Sequence, residues 1–153
     1  MSKKAILVVS FGTSHTDTRE KTIDRIEEDI RRACPDYEIF RAWTSKMIIK
    51  KLKERDGVKI NTVREAMEEL IAAGIRELIV QPTHVINGIE NDLMKEDVLA
   101  YQDSFDRISF GNPLLTTEED NEAVIRAVAE ELSPDESEAL VLMGHGTTHF
   151  ANS

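Results

Sequence analysis

Residues 5–10, Ala5-Ile6-Leu7-Val8-Val9-Ser10, form an apolar run with no polar alternation before its last residue. A strand with one wet face alternates apolar and polar side chains, whereas a continuous aliphatic run fits a strand buried on both faces. Such a strand needs helices above and below it, and that requirement restricts the fold more than any other feature of the chain. Further runs that read as strands follow at Tyr37–Trp43, Arg76–Pro82, Asp106–Gly111 and Glu138–Gly144, separated by amphipathic stretches. Strands alternating with helices imply right-handed crossovers and a mostly parallel sheet. The expected fold is α/β: a doubly wound, mostly parallel sheet of four to five strands with helices on both faces.

The connecting stretches carry helix signals. The segment 16–34 is expected to be one helix, opened by Asp17 and Glu20 at capping-box spacing, with Ile23, Ile26, Ile30 and Ala33 at helical intervals. Ser45 caps a short helix that Gly57 stops. Thr62 and Glu65 form a second capping box, with Ala66, Leu70 and Ala73 on one face and Gly74 as the stop. The segment 89–105 reads as a helix, and Thr117 caps a last one whose Val124, Ala127 and Val128 point inward.

At 153 residues the chain has enough length for a sizeable core. Its net charge of −10 argues against general nucleic-acid binding, which needs a basic face. The charge is uneven. Between Arg41 and Arg55 lie six basic residues and one acid, Glu54, a window of +5 that leaves −15 for the remainder. A local basic patch on an acidic protein attracts anionic small molecules. The single cysteine, Cys34, allows no internal disulfide and fits a reducing cytosol. No stretch has the length of a membrane span, and the apolar run after Lys3-Lys4 is too short for a signal peptide. A cytoplasmic location with no membrane partner is expected.

Four histidines, His15, His84, His145 and His149, each fall just after a predicted strand. Ligands of open α/β sheets bind in the crevice beyond the strands' carboxyl ends, so the histidines point to a functional edge there. The chain also repeats itself. "AILVVSFGTSH" (5–15) aligns without gaps to "ALVLMGHGTTH" (139–149), an offset of 134 residues. Gly12 meets Gly146, Thr13 meets Thr147 and His15 meets His149. The informative mismatch is Phe11 against His145, which puts an aromatic residue opposite a metal-ligating one. The repeat divides the chain into a first lobe, 1–137, and the opening strand and loop of a second, truncated lobe, 138–153. An unpaired strand at 138–144 would be a sticky edge, so self-association into a homo-oligomer is expected.

The loop Ser10 to Thr18 is rich in hydroxyls and opens a helix, where backbone N–H groups bind anions. It matches neither the dinucleotide fingerprint nor the G-x-x-x-x-G-K-[ST] phosphate loop. A flavodoxin-like module that binds flavin or phosphate is the alternative reading. Neutral imidazole suits cobalt, nickel, iron and zinc, and His145 between two glycines is sterically open. A structural zinc site is disfavoured, since those sites are usually cysteine-rich.

Taken in order, "VVSFGTS", "RAWTSKMIIKKLKERDG", "THVINGIEND", "GNPLLT" and "MGHGTTH" resemble the N-terminal lobe of the anaerobic-type sirohydrochlorin cobaltochelatases, members of the class II chelatase family. The resemblance implies two similar α/β lobes and insertion of Co²⁺ into a tetrapyrrole, sirohydrochlorin, in the cleft between them, during cobalamin synthesis. It implies that Co²⁺ is the substrate metal and that no organic cofactor takes part. It assigns His145 to the family's first metal-binding and catalytic histidine. Ser10, Phe11, Gly12, Thr13, Ser14, His84 and Asn87 are then the substrate-binding lining on the first-lobe side. The family's further glutamate and histidine come from later sequence, so residues 1–153 by themselves are expected to be weak or inactive. The basic window 41–55 would offset the repulsion between an acidic protein and a substrate rich in carboxylates.

Overall fold

The computed structural model describes residues 3–86 and 88–143. The elements are β1 (Lys3–Ser10), α1 (Thr16–Lys21), α2 (Ile23–Ala33), β2 (Glu38–Trp43), α3 (Lys46–Asp56), α4 (Val63–Ala72), β3 (Ile75–Pro82), α5 (Ile89–Leu99), β4 (Arg107–Phe110) and α6 (Glu118–Leu132), with a short 3₁₀ turn at Gln102–Ser104. The strands form one all-parallel sheet in the order β2-β1-β3-β4. The first apolar run is therefore a central strand, flanked on both sides, as its composition requires.

Alternation along β1 splits the core. Ala5, Leu7 and Val9, with Ala42, Leu78 and Val80, pack against Met67 and Leu70 of α4 and Met94 and Val98 of α5. The other face buries Ile6 and Val8. There a smaller cluster joins Ile23 of α2, Trp43 of β2, Leu52 of α3 and Ile60. Arg41 spans β2 and α2, its guanidinium donating to the carboxylates of Glu27 and Asp24.

The caps follow the sequence closely. The Ser45 hydroxyl accepts from the Ile48 N–H, and Gly57 closes α3 in the left-handed conformation. Thr62 with Glu65, and Thr117 with Asp120, both form complete capping boxes. Four expectations about the helices change. The predicted single helix 16–34 breaks at Thr22, whose backbone (φ −120°, ψ −80°) leaves the helical region, giving α1 and α2. His15 occupies the cap position of α1, and Asp17 lies inside its first turn. The helix 89–105 stops at Leu99, and the chain turns through 3₁₀ geometry before burying Phe105. In α6, Val124 and Val128 are half-buried while Ala127 is exposed. Its start is fixed by the Thr117 box, and none of its residues is fully buried.

The fifth strand is not formed over 138–143, the part of it that is described. A strand exists through its ladder of hydrogen bonds, and none of the four described strands pairs with this segment. Its apolar side chains are exposed, Val141 at 82% and Met143 at 93%. The sheet accordingly has four strands among the described residues.

Candidate active site at the carboxyl edge of the sheet

The strand register sets the site. Ser10 lies level with Trp43, Val9 with Pro82, and Val80 with Phe110. The first three strands thus end at nearly one height, β4 stops three residues earlier, level with Leu7, and the loops that follow form a continuous rim. Backbone and side chain bind the rim together. The Thr44 and Ser45 N–H groups donate to the carbonyls of Ser10 and Phe11, at 2.8 and 3.1 Å. The Thr83 N–H donates to the Val9 carbonyl at 2.8 Å, and its hydroxyl donates to Ser10 Oγ at 2.7 Å. The His84 and Val85 carbonyls accept from Leu114 and Leu115, and Ile86 bridges to Leu115. The loops after β3 and β4 are therefore zipped together.

The residues expected to line the site have different roles in this rim. Ser10 is buried and its hydroxyl is engaged by Thr83, so it holds two strand ends together. Phe11 is 47% exposed at the end of the central strand. Gly12 has φ +106°, and a Cβ there would lie 2.5 Å from Trp43 Cε3. Glycine is required on both counts. The Thr13 hydroxyl accepts from the His15 N–H at 3.2 Å, and the Ser14 carbonyl accepts from Arg55 at 2.7 Å. Asn87, His145 and His149 lie outside the described residues. The structure thus brings Ser10 to Ser14 and His84 to one edge. His15, exposed beside Thr13, shares it.

His84 projects from the end of β3 and lines a recess of about 350 Å³ with Ile26, Ile30, Pro82 and Leu114. Both ring nitrogens are buried with no hydrogen-bond partner among the described residues. Burial holds its pKa below the ordinary histidine value, against a smaller opposing pull from the Glu90 carboxylate. Burial thus favours the neutral imidazole, the form that ligates metals and accepts protons. Among the described residues no group of three His, Cys, Asp or Glu side chains is arranged to hold a metal ion.

Sequence reasoning missed two features of the rim. One is its apolar surface. Phe11, Met47, Val85, Ile89, Leu93 and Leu114 are each between 47% and 79% exposed; five lie in rim loops or in the first turns of helices that start there, and Leu93 opens the second turn of α5. Their positions after strand ends were readable, but their exposure was not. The other is the division of the basic window. Arg41 is taken by Glu27 and Asp24, Lys50 by Glu54 at 3.9 Å, and Arg55 by Asp56 at 2.7 Å. Among the described residues Lys46, Lys51 and Lys53 have no ion pair, and of these Lys46 stands at the rim, in the first turn of α3.

No helix among the described residues is long and apolar enough to cross a membrane. The family model described as cobalt chelatase (CbiK) matches residues 4–153. The chain is 43% identical over 150 residues to the sirohydrochlorin cobaltochelatase of Salmonella typhimurium, covering 97% of this chain and 57% of that protein. It is 32% identical over 159 residues to the sirohydrochlorin cobaltochelatase CbiKC of Nitratidesulfovibrio vulgaris, covering 100% of this chain and 55% of that protein. The chain spans somewhat more than half the length of these curated relatives. With the match running from the start of β1 through the closing "MGHGTTH", the chain belongs to the CbiK family of cobalt chelatases.

Proposed function

We propose that the protein carries one lobe of a chelatase that inserts Co²⁺ into sirohydrochlorin during cobalamin synthesis, in the cytoplasm. The observation that carries this reading is the 43% identity to a sirohydrochlorin cobaltochelatase across nearly the whole chain. A rim that presents exposed apolar side chains and a neutral imidazole at the sheet's carboxyl edge supports it. Residues 1–137 form the first lobe, and 138–153 begin a second.

The reaction exchanges two pyrrole N–H protons for one divalent ion: the macrocycle and Co²⁺ give the cobalt complex and two protons. No electron moves, and no organic cofactor is needed. His145, as neutral imidazole, holds the incoming metal or accepts a pyrrole proton, a task that suits a group with pKa near the working pH. Phe11, at the position equivalent to His145 in the internal repeat, supplies a flat apolar surface for the macrocycle. Ser10 and Gly12 keep that surface in place, Thr13 and Ser14 shape its loop, and His84 and Asn87 line the β3 side.

The test is cobalt insertion into sirohydrochlorin by the full-length gene product, followed by absorbance. His145→Ala is expected to lower the rate by about 100-fold or more, within the range for losing a positioned acid–base group. An unchanged rate removes His145 from the mechanism. Wild-type protein that inserts no metal overturns the reading as a whole.

A further inference from the structure

A second recess opens on the rim, of about 280 Å³, between the first turn of α3 and the start of α5. Its wall includes Trp43, Thr44, Lys46, Leu93 and Met94. The Thr44 hydroxyl, on that wall, is buried with no hydrogen-bond partner among the described residues. Leaving a buried polar group unpaired is unfavourable, so an unpaired hydroxyl on the wall of a recess points to a polar ligand. Lys46 adds a cation without an ion pair among the described residues, in the first turn of a helix whose Ser45 cap is engaged by the Ile48 N–H. Two carboxylates also face the recess. Asp97 is held by Arg64 at 2.9 Å. Glu90, in the first turn of α5, lies within electrostatic reach of His84. The cation and the unpaired Thr44 hydroxyl lie at the β2 side, where an anion would be received.

We infer that this recess is the subsite for one carboxylate arm of the macrocycle, with the Lys46 ammonium and the Thr44 hydroxyl as its partners. The assignment rests on the reading of the protein as a sirohydrochlorin chelatase and names how the substrate is oriented. A tetrapyrrole with carboxylates at its periphery is an apolar disc with an anionic rim. Leu93, 50% exposed, and Met47, 79% exposed in the same turn as Lys46, offer the disc an apolar bed beside the charged pocket. Of the six cations in the basic window, Lys46 is the one placed to select orientation. The others are paired or lie further along α3.

The test uses the full-length gene product and two readouts. One is the KM and kcat for sirohydrochlorin in cobalt insertion. The other is the Kd for metal-free sirohydrochlorin, titrated by absorbance. Lys46→Ala and Thr44→Val are each expected to raise KM and Kd about 3- to 10-fold, a range set by hydrogen bonds to charged groups, with kcat within about twofold. Arg32→Ala, which removes one charge from the last turn of α2 at the opposite end of the molecule, is the control and leaves both constants unchanged. Raising NaCl from about 50 to about 500 mM should weaken wild-type binding more than Lys46→Ala binding, because screening acts on the ion pair. If wild-type turns over while Lys46→Ala and Thr44→Val both match the control, the subsite is wrong and the chelatase reading stands. If wild-type neither binds nor metallates sirohydrochlorin, both fall.

Discussion

Under α4 and α5 the sheet is closed: Leu7, Leu70, Leu78, Val80, Met94 and Val98 are all at most 1% exposed. A few residues along the same strands, at the carboxyl rim, the pattern inverts. There large apolar side chains face water, while the indole N–H, the Thr44 hydroxyl and both His84 nitrogens are buried without partners among the described residues. One region satisfies its own chemistry, and the other leaves polar groups unpaired and apolar ones exposed among the described residues. Interiors are close-packed, so errors there cost stability. Unpaired polar groups and exposed apolar surface cost stability to maintain.

A matched pair of leucines is the sharpest way to break this comparison. Leu70→Ala in the core should lower unfolding free energy by about 3 kcal/mol in urea melts. A loss under about 1 kcal/mol would mean the α4 face is far looser than its burial indicates. Gly12→Ala stands at the boundary between the two regions and should cost about 2 kcal/mol, since it combines a left-handed backbone with a clash against the Trp43 ring. A third variant separates the two kinds of burial by pH. His84 has a folded pKa below its unfolded value near 6.5. The unfolded chain therefore binds the proton more tightly. Its contribution to stability is intact above pH 6.5 and is lost as pH falls from there toward the folded pKa. His84→Leu should remove that part of the acid sensitivity between pH 7.5 and 5.5. Parallel pH profiles of wild type and variant would contradict it. The smallest effect belongs to Leu93→Ala on the rim, expected within about 0.5 kcal/mol of wild type yet with weaker sirohydrochlorin binding in the full-length protein.

Much of the closed region was legible in the residues. The unbroken run at Ala5–Val9 required a central parallel strand, and Ser45, Thr62 and Thr117 marked helix starts that the structure reproduces. These signals are local, carried by neighbours in sequence. The break at Thr22 was not legible, because Thr22 is an ordinary residue in a continuous helical pattern. Neither was the fate of the basic window, since Arg41 meets Glu27 across 14 positions and Arg55 meets a neighbour's carboxylate. The rim was half legible. Histidines after strand ends gave its position, but the contact between Ser10 and Thr83, 73 residues apart, depends on register. The same limit hid the tie that the Ser10 hydroxyl makes between strand ends. His145, to which the resemblance gives the central role, falls outside the described residues.

The bridge from Ile86 to Leu115, with the paired bonds at Leu114 and Leu115, has a consequence for anyone altering this surface. Two loops fastened to each other share one length. An insertion in either shifts the register of the other, so substrate range on this side would be redesigned by exchanging both loops as a matched cassette.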